Sequence, residues 1–294
     1  MKKKLPSLSI AFSAVMIIGL ILPLRADTDR VIWSGRSGGF DIRWSLYDII
    51  FSSTSSPDGG TLSVSSISKK NHAQEIAWVK KEFGKDNRLV DYQRDFSILS
   101  VVGSIVTIEE HFFASLALEA HPWGESRFTT LDLSRPGGIN YRNVSQDLNI
   151  NLSKPGKVAK LTDYFNESDI LKGLLADPVI KEFIKNTGLN PRTLKALVKS
   201  MSGQFMISER YCCSMADDLL TRFAFHHIEG DRVAVKIGIS GAGPCRESNT
   251  RIGLLLPIPE SLRNALKLAE VKEEGFLMKD LKMVSGDRKT KFRY

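Results

Sequence analysis

The sequence lacks the short motifs that identify most hydrolases, zinc enzymes and nucleotide-binding proteins. It has no HExxH, no paired-cysteine zinc spacing, no GxSxG and no Walker phosphate loop. It also has no run in which Lys and Arg alternate with aromatic residues, so no nucleic-acid partner is predicted. We therefore expect no catalytic residues, no metal and no cofactor, and an enzyme is the less favoured class.

Long apolar runs are also scarce, and the one at the N-terminus has the pattern of a targeting segment. Basic Met1–Lys4 precedes the apolar stretch Leu8–Leu22, and the small residue Ala26 stands just before Asp27. This stretch is shorter than the ~20 residues of a spanning helix. We predict a cleavable signal peptide over residues 1–26, a secreted or periplasmic protein, and no stable membrane anchor.

The net charge is modest once that segment is removed. The whole chain carries +8, and Lys2, Lys3, Lys4 and Arg25 belong to the predicted signal peptide, which leaves 37 basic and 33 acidic residues, a charge of +4. A balance of this size favours solubility and a weak attraction to anionic wall polymers or lipid headgroups.

Cysteine is rare, with three residues in 294. Cys212 and Cys213 are adjacent, and Cys245 lies in a predicted loop after a hairpin. In an oxidising compartment we expect Cys245 to form a disulfide with one of the other two and to leave one thiol over. The sequence does not indicate which of Cys212 and Cys213 is the partner.

The clearest secondary-structure signal is the stretch from Val106 to Asp132. Most even positions from Val106 to Leu118 are apolar and most odd positions are polar, which is the period of a half-buried strand. Glu110 and Phe113 depart from this alternation. A Pro/Gly-containing turn follows, and the chain then becomes extended again, so the stretch predicts strand, turn and strand.

The rest of the chain predicts a mixed fold. Residues 27–95 indicate a β-rich part with one helix from Asn71 to Phe83, and residues 96–270 indicate an α+β domain. Helices are predicted after Asn166, Asp177 and Asn190, followed by a hairpin at Glu229-Gly230-Asp231. Residues 271–294 are expected to form a charged, mobile tail. The predicted class is α+β, an antiparallel sheet with helices packed on one face.

Three segments in a fixed order carry a resemblance to a known family. They are Ala120-His121-Pro122, the stretch from Leu148 to Lys157, and Leu161-Thr162-Asp163-Tyr164-Phe165. Their order resembles the extracytoplasmic domain shared by lysozyme-sensing anti-sigma factors and the C-terminal part of certain peptidoglycan deacetylases. The resemblance covers roughly Ser97 to Leu262. Glu119 stands where the family has Gly, a residue that more readily takes positive φ.

The resemblance implies an exported, noncatalytic binding module whose partner is lysozyme or peptidoglycan. Anti-sigma relatives have a cytosolic domain before the membrane segment, whereas only Met1–Lys4 precedes the apolar run here, so we expect no sigma factor to be bound. The catalytic domain of the deacetylase relatives, with its metal-binding Asp and His motifs, has no counterpart in the sequence.

The expected binding surface is the turn between the two central strands. His121, Pro122 and Trp123 form this turn at the rim of the predicted sheet, where loops contact partners without disturbing the core. Arg127 follows four residues after Trp123 and offers a charge to an acidic partner. A Trp in a Pro/Gly turn more commonly folds back as a lid on the core and otherwise projects as an interface anchor, and Trp and Arg are the residues most enriched in binding hot spots.

A small hydrolase acting on envelope polymers is the alternative. Glu109 and His111 share one face of the predicted strand, and His121 follows nearby, so the three offer acid–base groups. His226 and His227 are adjacent on another predicted strand. Neighbouring strand residues point to opposite faces, so we expect this pair not to converge on one metal.

Overall fold

The structure is a computed structural model. It describes residues 31–54, 61–84, 89–117, 123–135, 141–142, 147–148, 157–201, 203–208, 211–215, 219–239 and 250–293. The predicted signal peptide lies outside these residues.

The described N-terminal part is a four-stranded antiparallel meander followed by one long helix. The strands are β1 (Val31–Ser37), β2 (Phe40–Ser45), β3 (Ile49–Ser53) and β4 (Thr61–Ser63), and the helix is α1 (Val64–Phe83). One face of the meander is apolar and includes Ile42, Trp44 and Phe51, all buried against the next sheet.

Helix α1 begins earlier than the sequence predicts. Asn71 was the expected N-cap, but the helix starts seven residues before it, and most of the weak strand predicted from Thr61 is helical. The hydroxyl of Ser63 accepts a hydrogen bond from the Ser66 amide at 3.1 Å, and the Asp48 carboxylate accepts one from the Ser65 amide at 2.8 Å. A carboxylate supplied from the β2–β3 turn therefore stabilises the helix start.

A five-stranded antiparallel sheet forms the centre of the fold. Its strand order is β10-β7-β6-β5-β16, with β5 (Leu89–Val102), β6 (Ile105–Leu116), β7 (Trp123–Asp132), β10 (Lys157–Val158) and β16 (Thr290–Arg293). The predicted strand, turn and strand are confirmed as β6 and β7. One sheet face packs on the meander and the other on the C-terminal half.

The next part of the chain contains three helices and two short strand pairs. The helices are α2 (Glu167–Ala176), α3 (Pro178–Thr187) and α4 (Leu194–Met201), and the pairs are β8 (Tyr141–Arg142) with β9 (Asp147–Leu148) and β11 (Gly203–Ser208) with β12 (Tyr211–Met215). Asp177 caps α3 through the amide of Val179 at 2.9 Å, and Gly188 ends it with φ 66°. The start and end of α3 agree with the sequence prediction, whereas α4 begins at Leu194 instead of directly after Asn190, and the Thr193 hydroxyl accepts a hydrogen bond from the Ala196 amide at 3.1 Å.

A three-stranded antiparallel sheet stands on the second face of the central sheet. It consists of β13 (Phe223–Glu229), β14 (Arg232–Ile239) and β15 (Thr250–Pro257), followed by α5 (Glu260–Val271). The outer backbone edge of β13 bonds to hydroxyls of the central sheet: Thr107 and Thr130 donate to the Phe223 carbonyl at 2.7 and 2.6 Å. The two sheets therefore meet edge to face, and the helices cover the apolar face of the smaller one.

The C-terminal residues are part of the fold, so the prediction of a mobile tail is wrong. After α5 the chain forms a short 3-10 helix, Met278–Asp280, then α6 (Leu281–Ser285) and the edge strand β16. Phe276 is fully buried, and Phe292 packs edge-on against Phe96 with the ring centroids 5.5 Å apart. These isolated apolar residues within a charged stretch anchor it to the core.

The predicted α+β class, with antiparallel sheets and helices packed on one face, is confirmed. Among the described residues, none of the helices combines the length and apolar character needed to cross a bilayer.

Candidate functional site

Two adjacent carboxylates on β6 lie on opposite faces of the central sheet. Glu109 and Glu110 are both nearly inaccessible to solvent, with 4% and 6% exposure. Because neighbouring strand residues point to opposite faces, each carboxylate lies in a different environment. One is held in a buried ion cluster beneath α1, and the other lies where the two sheets meet.

Glu110 belongs to the buried cluster around Arg94. The Arg94 guanidinium is 2% exposed and forms ion pairs with Glu110 and with Glu75 of α1, and it donates a further hydrogen bond to the Tyr92 hydroxyl. The same guanidinium lies 4.9 Å from the ring centroid of Phe112. This cluster joins α1 to β5 and β6 through charge-assisted bonds.

The electrostatics of this cluster keep the guanidinium charged. Burial alone would lower the pKa of Arg94, but Glu110 and Glu75 outweigh burial and raise it. The ring of His72 lies 4.2 Å from that of Tyr92, and its pKa is lowered by burial and then by Arg94. His72 is therefore held neutral, and the cluster has a structural rather than an acid–base character.

Glu109 forms the second cluster, on the opposite face. Its Oε1 accepts hydrogen bonds from Arg251 Nη2 at 2.9 Å and from the Ser126 hydroxyl at 3.1 Å, and its Oε2 lies 3.2 Å from His111 Nε2. The Arg251 guanidinium lies over the ring of Phe128 at 5.4 Å. The expected sharing of one face by Glu109 and His111 is confirmed, and Arg251 is an additional partner.

The partners of Glu109 set its protonation state. Burial would raise the pKa of the carboxyl group, but His111 and Arg251 outweigh burial and lower it from 4.5 to about 2. A carboxylate with this pKa is ionised throughout the physiological range and is a weak general base.

This lowered pKa predicts a pH-dependent stability. Because the folded-state pKa lies below the unfolded value, the stabilisation is complete above pH 4.5 and is lost as the pH falls toward 2. Above pH 4.5 we expect wild type to have a higher free energy of unfolding than Glu109→Gln, by on the order of 3 kcal/mol. This difference should disappear as the pH falls toward 2. Urea unfolding of both proteins at a series of pH values measures the difference. A difference that stays constant with pH would contradict the ion-pair assignment.

His226 and His227 converge, so the expectation that they point to opposite faces is wrong. Their Nδ1 atoms are 2.7 Å apart, which requires one ring to donate a hydrogen bond and the other to accept it. The β13–β14 register contains a β-bulge between Phe225 and His227. The extra residue in this bulge is His226, and the bulge brings its ring beside that of His227. The pKa of His226 is lowered by burial first, and then by the charges of His227, Lys236, Arg251 and Lys279.

An open cavity of about 1100 Å³ lies between edge strand β1 and the segment after α5. Trp33, Arg36 and Arg43 line one wall, and Lys272 and Glu274 line the other. The Trp33 ring packs edge-on against Phe276 with the centroids 5.3 Å apart. This cavity presents an indole and charges of both signs.

The structure describes only part of the predicted binding surface. His121 and Pro122 lie outside the described residues. Trp123 is the first residue of β7 and pairs with Ala114, and Arg127 pairs with Glu110 in the same ladder. The backbone thus places Trp123 at the start of the strand that follows the predicted turn, and Arg127 in the middle of that strand.

The cysteine prediction concerns residues that are only partly described. Cys212 and Cys213 lie in β12, whereas Cys245 lies outside the described residues. The expected disulfide therefore stays a prediction. Within the described ranges, no three His, Cys, Asp or Glu side chains are placed to hold a metal ion.

Sequence reasoning missed Arg94, Glu75 and Arg251. A usable signal existed for the first two, because Glu110 breaks the apolar alternation of β6 and a buried carboxylate needs a cationic partner. Arg251 carried no such signal, since it is 142 residues from Glu109 in sequence.

Comparisons of the chain with protein-family models, with curated proteins and with solved structures give no match.

Proposed function

We propose that the protein is an exported, noncatalytic binding module that recognises a cell-envelope ligand. Lysozyme and peptidoglycan are the two candidates, and both come from the family resemblance of the segments around His121 and Leu161. The proposal is supported most directly by the state of Glu109, the one carboxylate among the three acid–base residues, Glu109, His111 and His121, of the alternative hydrolase.

Glu109 is engaged by three side chains, which argues against a catalytic role. Arg251 and Ser126 occupy one carboxylate oxygen and His111 lies against the other. A general acid must hold a proton near neutral pH, and a general base needs a pKa near the working pH. Because the pKa of Glu109 is held at about 2, the group meets neither condition and acts instead as a fixed link between β6, β7 and β15.

The binding surface that we propose comprises the predicted turn between β6 and β7 and the first half of β7. Trp123 and Arg127 lie on β7, and the ladder partner of Arg127 is Glu110, whose carboxylate is committed to Arg94. The proposed contact set is His121, Pro122, Trp123 and Arg127.

The variant Trp123→Ala tests this surface. If Trp123 anchors the partner, the substitution should weaken binding by ~2 kcal/mol or more, because a Trp hot spot loses its buried contact area. Binding is measured by titration calorimetry against hen lysozyme and by co-sedimentation with insoluble peptidoglycan. Arg43→Ala, in the cavity beside β1, is the matched control and should bind like wild type.

Two outcomes would contradict the surface or the function. A large fall in melting temperature with unchanged affinity would make Trp123 a core residue and move the surface elsewhere. Release of soluble fragments from peptidoglycan by wild type, lost in Glu109→Gln, would establish the hydrolase instead.

A further inference from the structure

A second group of residues, apart from the proposed binding surface, brings several basic side chains onto one face of a sheet. It lies on the face of the three-stranded sheet that turns away from the helices. In the β14–β15 ladder Lys236 pairs with Gly253, and Gly238 pairs with Arg251. Because alternate strand residues share a face, the two cations occupy diagonal positions and the two glycines occupy the other diagonal.

The glycines make room for the groups that lie across them. A Cβ at Gly253 would be 3.1 Å from Lys236 Nζ, so the ammonium group lies directly against this backbone. A Cβ at Gly238 would be 2.8 Å from the ring of Phe128, the ring over which Arg251 is placed. Lys236 thus lies against the Gly253 backbone, and the Phe128 ring lies between Gly238 and the Arg251 guanidinium.

Further donors come from neighbouring elements. The bulge in β13 turns His226 and His227 toward the same face, and Lys279 of the short helix after α5 acts on His226 as a nearby positive charge. Among the described residues, the hydrogen bond from Arg251 to Glu109 uses Nη2 and leaves the other N–H groups of the guanidinium available. Lys279 has Glu270 at 3.5 Å.

Lys236 differs from these cations. Within the described part of the chain, no carboxylate forms an ion pair with Lys236, although its side chain is partly buried. Glu109 is paired with Arg251 and Glu270 with Lys279, so the charge of Lys236 is left without a direct counter-ion among the described residues.

We propose that His226, Lys236 and Arg251 bind a tetrahedral oxyanion of the phosphate type. The donors belong to three successive strands and lie on the same face of the smaller sheet. A planar carboxylate accepts hydrogen bonds in one plane, whereas the oxygens of a phosphate point in several directions and match donors from three strands. Lysine and arginine are also the usual phosphate-binding side chains.

The test is a titration of the purified protein with inorganic phosphate near neutral pH, at an ionic strength held constant with sodium chloride. Chloride alone and acetate are the comparison arms. Binding is followed by calorimetry and by the imidazole nitrogen signals of His226 and His227. We expect saturable phosphate binding that shifts both histidine signals and raises the melting temperature.

Three variants locate the site. Lys236→Met should weaken phosphate binding roughly tenfold, because a charge-assisted hydrogen bond is lost. Lys282→Met, on exposed α6, is the matched control and should bind like wild type. Gly253→Ala keeps every charge but places a methyl group against the Lys236 ammonium, so it should also weaken binding.

Each contrary result would overturn the proposal. If chloride gave the same response as phosphate, the effect would be ionic screening and not binding. If acetate bound equally well or more tightly, the preference for a tetrahedral anion would be wrong. If both Lys236→Met and Gly253→Ala kept the affinity of wild type, the anion would bind elsewhere. The site does not depend on the proposed function, because a protein that bound neither lysozyme nor peptidoglycan would still bind phosphate here.

Discussion

Replacing Arg94 by Met is expected to lower the free energy of unfolding by about 3–5 kcal/mol, because the substitution leaves buried carboxylates without their cation. Arg94 is 2% exposed, and both of its acidic partners, Glu75 and Glu110, are less than a tenth exposed. Methionine approximates the stem but cannot neutralise either carboxylate. The side chain also packs against Phe112, so part of the loss comes from contact area.

The control for this prediction is Arg36→Met. Arg36 forms an ion pair of 3.0 Å with Asp41, but its side chain is 73% exposed. Exposed pairs contribute at most ~1 kcal/mol, so this variant should unfold close to wild type. Urea unfolding followed by circular dichroism measures both variants. Equal stabilities of the two variants would show that the buried cluster does not hold α1 to the sheet.

The substitution Gly275→Ala is expected to destabilise the protein by about 3–5 kcal/mol, through backbone strain and a steric clash together. Gly275 has φ 84°, and a Cβ there would fall well inside the contact distance of the Val101 carbonyl oxygen. The segment cannot move aside easily, because the next residue, Phe276, exchanges two backbone hydrogen bonds with Val101, at 2.9 and 3.0 Å.

The control variant Gly39→Ala separates the cost of backbone strain from the cost of the steric clash in Gly275→Ala. Gly39 has a similar φ of 81°, but nothing lies within 4 Å of its missing Cβ. This control should therefore show the conformational cost alone, roughly 1–2 kcal/mol. Thermal and urea unfolding give both values. If Gly275→Ala cost no more than Gly39→Ala, the packing of this segment against β5 would be looser than described.

The sequence predicted those elements whose signals are local. The alternation along β6, the Asp177 cap of α3 and the glycine in the β13–β14 turn each act within a few residues, and each is found where expected. The start of α1 was missed because its stabilising carboxylate, Asp48, comes from another element.

The candidate sites were harder to predict, because they depend on pairing register and on contacts between distant residues. Strand alternation places His226 and His227 on opposite faces, and a single extra residue in the ladder cancels that rule. Glu109 was recognised as a polar residue beside His111, but its third partner lies on β15. Only the folded arrangement of the two sheets brings Arg251 to it.

The edge strand β16 has a consequence for the order in which the fold is completed. Thr290 pairs with Phe96 in β5 and also donates a hydrogen bond to the Ser45 carbonyl at the end of β2, 245 residues away in sequence. Contacts of such separation form late, because the loop-closure entropy must be overcome first. Until β16 pairs with it, β5 has an unpaired edge at residues 93–96, a state that invites association with other chains. The four residues of β16 thus protect this edge of the central sheet against pairing with other chains.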